Sequence, residues 1–433
     1  MKKILIITYY WPPSGGAGVQ RWLKFVKYLR EFGWEPIVYT PENPEAPAID
    51  HSLEKDIPEN LTVLKTKIWE PYTLYKKFTG QKKEEKINAG FLTEKKKPAI
   101  VEKISVWIRG NWFIPDARKF WIVPSVKFLT EYLQKNPVNA IVSTGPPHSM
   151  HLIALGLKRK LNIPWLADFR DPWTNIDFYD KLMLTKRADT KHRKLEKEVL
   201  ENADKVATVS WNWAKDFEKI YKRDYDVITN GYDEDDFPKD EAVLDKKFSI
   251  VHIGAMNSDR NPHLFWEALK ELLKENSSLK NDLHIRLIGK NDISVIRSIE
   301  ENELNNYTEI NSYLPHDEVL RTICTSRVLL LPLNDTPNTL GIIPGKLFEY
   351  LASKRPVFAI GKITGDAARI IQETNSGVIC DFKDKEMMKE KLLNLYEKFK
   401  SNNSFVHSEN IITYSRKNKT ADLCNLLTHF TQN

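Results

Sequence analysis

Lys3-Ile4-Leu5-Ile6-Ile7-Thr8-Tyr9-Tyr10-Trp11-Pro12-Pro13-Ser14-Gly15-Gly16-Ala17-Gly18-Val19-Gln20-Arg21 carries three signals in order. Residues 4–8 form a short apolar run of buried-strand type. A Pro/Gly loop follows, and then Val19, Trp22, Leu23, Val26 and Leu29 recur at helical spacing until Gly33 supplies a stop. Residues 35–40 read as a second strand. Strand, glycine loop, helix and strand make a βαβ unit. A signal peptide fits less well, because the apolar stretch breaks at Tyr9–Pro13 and no small-residue cleavage site follows.

The alternation continues outward from this unit. Strands are expected at 140–143, 165–168 and 205–209, and helices at 149–161 and 195–202. A second series starts at 248–253. It runs through strands 283–288, 328–331 and 357–360, with helices at 263–275, 292–301, 345–353 and 385–400. Repeated β-α alternation predicts parallel sheets covered on both faces. The fold class is α/β, with two Rossmann-like domains facing each other across a cleft. One domain spans 1–243 plus 415–433 and the other 244–414, and Asn230-Gly231-Tyr232-Asp233 reads as an acidic linker. Residues 67–127 interrupt the first series as a basic, aromatic insertion.

Composition narrows the function classes. The 433 residues are 41% hydrophobic, enough for real cores and too much for wholesale disorder. No apolar run approaches the ~18–20 residues that span a bilayer. Three distant cysteines, Cys324, Cys380 and Cys424, build neither a disulfide framework nor a zinc cluster, which fits a reducing cytoplasm. Residues 1–200 hold 34 Lys+Arg against 22 Asp+Glu, a net of +12, and the remainder carries −5. The first half therefore faces something anionic.

Four segments carry candidate chemistry. Gly15, Gly16 and Gly18 open a helix, where backbone N–H groups approach an anion; the alternative is a tight turn packing helix on sheet. This is not the dinucleotide fingerprint, because Arg21 stands at the third glycine position. Asp168-Phe169-Arg170-Asp171-Pro172-Trp173 sits at a strand end, either as a site or as an ion-paired corner. Gly254 leads to Arg260, whose fork of donors suits a diphosphate, or which is a surface arginine at a helix start. Gly341-Ile342-Ile343-Pro344-Gly345-Lys346-Leu347-Phe348-Glu349 opens a helix with a lysine where the dipole disfavours one, which makes sense if an anion is shared. Asp233-Glu234-Asp235 reads as a solvated turn rather than a metal site, and His148 and His151 lack a third ligand.

Together with Ala203-Asp204-Lys205-Val206 and Gly289 after its strand, these segments resemble, in order and spacing, a GT-B fold glycosyltransferase of the glycosyltransferase family 4 type. The resemblance runs along nearly the whole chain. It implies a retaining transferase that takes a nucleotide diphosphate sugar as co-substrate, with no metal and no other cofactor. Asp168, Arg170, Asp171, Arg260 and Lys346 would be catalytic. Gly15, Gly16, Gly18, His148, Gly254, Gly289, Gly341, Ile342, Ile343, Pro344, Gly345 and Glu349 would bind substrate, with Glu349 on the ribose. Gly341 stands where the family has a first glutamate, which removes an expected contact to the donor sugar. The partners expected are a nucleotide-sugar donor, a glycan or lipid-linked acceptor of cell-envelope polysaccharide synthesis, and an anionic membrane surface. The location expected is cytoplasmic, peripheral on the inner face of the membrane. A nucleotide-sugar epimerase of the same fold is the rival enzyme. A basic protein that binds nucleic acid or membrane is the rival from another class, and nucleic acid is not among the expected partners.

Overall fold

The computed structural model describes the chain except residues 47, 72–99, 241, 313, 403–407 and 433. It divides into two compact units, Met1–Thr229 with Arg416–Asn433, and Asn230–Ser415. Residues 230–243, read from sequence as the tail of the first domain, thus belong to the second unit. The reason is local: the Tyr232 N–H donates to the Tyr414 carbonyl at 3.1 Å, and Tyr232 is buried.

The first unit holds a seven-stranded parallel sheet. Its strands are β1 (Lys2–Ile7), β2 (Trp34–Pro41), β3 (Thr62–Thr66), β4 (Ala140–Gly145), β5 (Trp165–Phe169), β6 (Lys205–Thr208) and β7 (Asp226–Val227). They lie in the order β3-β2-β1-β4-β5-β6-β7. The order reverses between β1 and β4, so the crevice that binds ligands in such sheets lies at the carboxyl ends of these two strands. The Ala17–Leu29 helix covers one face. It buries Val19, Trp22, Leu23, Phe25, Val26 and Leu29, and Gly33 at φ 81° ends the turn that follows. Its core is shared by the Arg416–Phe430 helix, which contributes Leu423, Cys424 and Leu427 from the far end of the chain. Each such fully buried side chain is worth ~1.5–3 kcal/mol.

The second unit repeats the plan with six strands. These are β8 (Phe248–Ile253), β9 (Leu283–Ile288), β10 (Thr308–Asn311), β11 (Val328–Pro332), β12 (Val357–Ile360) and β13 (Gly377–Cys380), in the order β10-β9-β8-β11-β12-β13. The reversal falls between β8 and β11. The sheet centre, with Ile250, Leu330 and Phe358, packs on Phe265, Trp266 and Leu269 of the His263–Glu275 helix.

The 67–127 insertion is not one thing. Its described part contains a helix at Ile100–Trp112 and the start of a helix at Lys119–Lys135. Trp121 is buried, stacked on Tyr39 at 4.8 Å. The lysines at 76–97 lie outside the described residues.

Candidate functional site

In the second unit, three chain segments converge at the carboxyl ends of β8 and β9. Gly254 (φ 96°) ends β8 and Gly289 (φ 129°) ends β9. Both hold backbone conformations that side chains rarely adopt. A Cβ on Gly289 would lie 2.6 Å from the Gly254 carbonyl, and one on Gly254 would lie 2.9 Å from Lys346 Nζ. The glycines thus let two strand ends and a lysine pack at backbone distance.

Lys346 lies in the first turn of the Gly345–Ala352 helix, which has Pro344 as N-cap, no side-chain cap and no acidic residue in that turn. Its Nζ donates to the Ile253 carbonyl. Tyr350, one turn on, accepts from the Ile253 N–H at 3.0 Å, so both backbone groups of Ile253 hold this helix in place. Burial pushes the Lys346 ammonium down to about 7; Arg260 adds to the shift and Glu349 opposes it. Arg260 is oriented by Asn334 Oδ1 and the Ala255 carbonyl, each at 2.9 Å. Two cations therefore stand together at the positive end of a helix, an arrangement that an anion would relieve. Glu349 is half-buried on the same helix. Beside Arg260 lies a cavity of about 190 Å³, walled by Pro332, Leu333, Ile360 and Phe382.

The expected backbone contacts at 341–345 sort unevenly. The Gly341 and Ile342 N–H groups donate to Asn338 and Thr339 within a 3-10 turn, and Ile343 is buried. Gly341 and Ile342 therefore do not offer N–H groups to a ligand. Gly345 is exposed, and a Cβ there would meet nothing within 4 Å, so the open approach to this helix start is at Gly345.

In the first unit, the residues at the ends of β1, β4 and β5 come together, and Asp168 and Arg170 make the ion-paired corner that the sequence offered beside a site. Asp168 is 1% exposed and fully engaged. Arg21 grips it with Nη2 at 2.8 Å and Nε at 3.1 Å; Trp22 Nε1 donates at 2.7 Å and Thr144 Oγ1 at 2.9 Å. Burial works to raise its pKa, yet Arg21 and these hydrogen bonds outweigh burial and hold it below the usual carboxylate range. Asp168 is an anchor that ties helix Ala17–Leu29 to the sheet, and no lone pair is left for a reacting atom. Arg170 donates to the carbonyls of Gly18 and Pro146 and, at 3.4 Å, of Gly145, clamping the loops after β1 and β4. A Cβ on Gly18 would lie 2.9 Å from the Tyr10 ring and 3.2 Å from Arg170 Nη1. Gly15 is buried, its N–H given to the Ala48 carbonyl at 2.8 Å, so it shapes the turn. Gly16 is the exposed N-cap at φ 99°.

Two groups at this edge keep open valences. Asp171 is half-buried and accepts no hydrogen bond among the described residues. Burial pushes its carboxyl up, against the pull of Arg170. His148 stacks on Trp173 at 4.6 Å with Nδ1 buried and unpartnered. Burial, with His151 and Arg170 beside it, holds it neutral, well below the ordinary histidine range.

Sequence reasoning missed Glu196, which is fully buried. Its carboxylate accepts from the N–H groups of Trp173 and Thr174 and, at 2.6 Å, from Thr174 Oγ1, so it pins the loop that carries Arg170 and Asp171. Among the many charged residues of helix Lys186–Asn202 it gave no signal. The Asp233-Glu234-Asp235 stretch is a 3-10 turn in which Asp233 accepts from the Asp235 N–H at 3.2 Å; Asp233 is buried rather than solvated.

Residues 233–413 match the family described as Glycosyl transferases group 1. No curated protein matches the chain. Among solved structures, a glycosyltransferase from Rickettsia africae ESF-5 is similar with a TM-score of 0.66 at 16% identity, covering 100% of this chain and 99% of that one. A mutant S. aureus TarM in complex with fondaparinux, alpha-GlcNAc-glycerol and UDP gives 0.59 at 14%, covering 99% and 100%. WaaG, a glycosyltransferase involved in lipopolysaccharide biosynthesis, gives 0.57 at 12%, covering 98% and 99%. At these identities the likeness is one of fold: the chain has the GT-B fold, and the match to group 1 glycosyltransferases falls within its second unit.

Proposed function

We propose that this glycosyltransferase moves a sugar from a nucleotide diphosphate sugar to a glycan or lipid-linked acceptor in cell-envelope polysaccharide synthesis, with retention and without a metal. The observation that carries the reading is the Lys346–Arg260 pair over Gly254 and Gly289 at the start of the Gly345–Ala352 helix. As the glycosidic bond breaks, negative charge gathers on the leaving diphosphate while the sugar becomes oxocarbenium-like. Two cations and a helix N-terminus stabilise that charge, the task a metal performs in other transferases. The leaving phosphate oxygen takes the proton of the acceptor hydroxyl. Glu349, a half-buried carboxylate with acceptor capacity only, suits the ribose diol. On the first unit, neutral His148 and the open carboxylate of Asp171 suit sugar hydroxyls, held in place by Arg170 and Glu196.

The family match favours transfer over epimerisation. An envelope acceptor is supported by the involvement of WaaG in lipopolysaccharide biosynthesis and by the alpha-GlcNAc-glycerol in the TarM complex. Calorimetry with UDP-, GDP-, ADP- and CMP-linked sugars is the direct test. One of them should bind, and a ligand at ~100 times its dissociation constant should add about 2.7 kcal/mol of stability. Binding by none of the four, or NMR detection of epimerised donor without acceptor, would sink the reading.

A further inference from the structure

Helix Ile100–Trp112 presents an apolar stripe to solvent. Ile104, Trp107, Ile108 and Trp112 are 51%, 39%, 39% and 67% exposed, at spacings of three, one and four that share a face. The stripe does not come from a loosely docked helix. On the other side Gly110 packs so closely that a Cβ would lie 2.8 Å from the Leu182 carbonyl. Asn111 accepts from the Thr185 N–H at 2.7 Å and donates to the Met183 carbonyl at 3.2 Å.

The apolar surface continues beyond the helix. Lys119 Nζ donates to the Trp112 carbonyl and sits 5.0 Å over the ring of Phe120, which is itself exposed and meets Trp69 edge to face at 4.9 Å. Trp69, Trp107 and Trp112 are the three exposed tryptophans among the twelve in the chain. A surface that gathers all of them, with lysine between the rings, is unlike scattered surface apolarity.

The charge around it is one-sided. Residues 178–194, which pack on this helix, hold six Lys/Arg against two Asp. Lys191 lies close enough to Lys119 for their charges to repel. As sequence alone, residues 72–99 between Trp69 and the helix add eight Lys against three Glu. Tryptophan with lysine at one level is the composition of membrane–water interfaces. No helix among the described residues is long and apolar enough to cross a membrane.

We infer that this surface docks on an anionic phospholipid bilayer, with helix Ile100–Trp112 in the interface plane, Ile104, Trp107, Ile108 and Trp112 below the headgroups, and Lys119 and Lys191 at the phosphates. The inference stands apart from the transfer reading, since it uses no residue of the nucleotide site.

The full chain is tested on vesicles of phosphatidylcholine, alone or with 30% phosphatidylglycerol (a composition chosen for charge, on the order used for anionic surfaces). It should sediment with the anionic vesicles at low salt, and lipids brominated near the headgroup should quench its tryptophan emission. Trp107→Ser with Trp112→Ser should weaken partition at least tenfold while melting temperature and nucleotide affinity stay unchanged. Lys119→Glu should weaken binding to anionic vesicles only. Absence of sedimentation at low salt overturns the inference. So does wild-type partition in the double tryptophan variant, or a loss of binding in Lys95→Glu/Lys96→Glu/Lys97→Glu while that variant still binds. If the double variant fails to fold, Ile108→Asn is read by the same quenching, and unchanged quenching there overturns the inference equally.

Discussion

Asp168, at the end of β5 in the first unit, and Lys346, on a helix start that reaches the end of β8 in the second, both belong to segments that looked chemical in the sequence. Their surroundings differ in one respect. Asp168 is closed off by Arg21, Trp22 and Thr144, opposite charge meeting charge. Lys346 lies beside Arg260, like charge meeting like, and burial has taken it down to about 7 in spite of Glu349 nearby. A buried group whose partners complete it is architecture; one whose neighbours leave its charge unbalanced is waiting for a ligand.

The contrast breaks first at Asp168. Asp168→Ala leaves the buried Arg21 guanidinium, which also donates to the Thr229 carbonyl at 3.0 Å, without its carboxylate, and a loss of ~3–5 kcal/mol is expected in urea unfolding. If stability stays within ~1 kcal/mol while turnover collapses, Asp168 is chemical after all. Lys346→Met is the mirror image. Melting should be unchanged or higher, because a desolvated cation is removed, while nucleotide affinity falls ten- to a hundredfold, the ~1.5–3 kcal/mol of a charged hydrogen bond. Equal losses of stability and affinity would erase the distinction.

Glu349→Gln should weaken nucleotide binding about tenfold with the fold intact, and a 2′-deoxy donor should lose less on the same substitution. Calorimetry showing undiminished affinity in the mutant returns Glu349 to a structural role. The smallest effect is in pH. A bound diphosphate raises Lys346, so the complex holds more protons than the free protein and affinity falls as pH rises above 7. The fall stays below tenfold per pH unit, the limit for uptake of one proton. Proton uptake, read from buffers of different ionisation heat, should vanish in Lys346→Met. The stability sign is opposite: the unfolded lysine keeps its proton up to about 10.4, so the free fold gains stability as pH rises from about 7 towards that value.

How much of this was legible follows from the physics of each element. Central strands such as Ile4–Ile7 and β11 are buried on both faces and read as continuous apolar runs. The edge strands β3, Thr-Val-Leu-Lys-Thr, and β10, Thr-Glu-Ile-Asn, are mostly half-exposed and resemble loops. The Lys119–Lys135 helix hid behind Pro124 in its first turns. Lys346 stood out in the sequence because a cation at a helix start violates a local rule. Whether Asp168 belonged to a site or to an ion-paired corner was not legible, because Trp22 and Arg21 lie 146 and 147 residues away and pairing over that distance leaves no local trace. The aromatic insertion concealed two fates for the same residue type: Trp121 in the core, its Nε1 bonded to Thr66 at 2.9 Å, and Trp112 in solvent.

The Arg416–Phe430 helix has a consequence for biosynthesis. A ribosome delivers residues 1–229 before residues 230–415, but the core of the first unit lacks Leu423, Cys424 and Leu427 until those residues too have been made. Residues 230–415 hold every strand of their own sheet and can finish beforehand. Of the two units the one begun first is thus completed last, and until then the side of helix Ala17–Leu29 that receives the Arg416–Phe430 helix stands open to chaperones, proteases and other nascent chains.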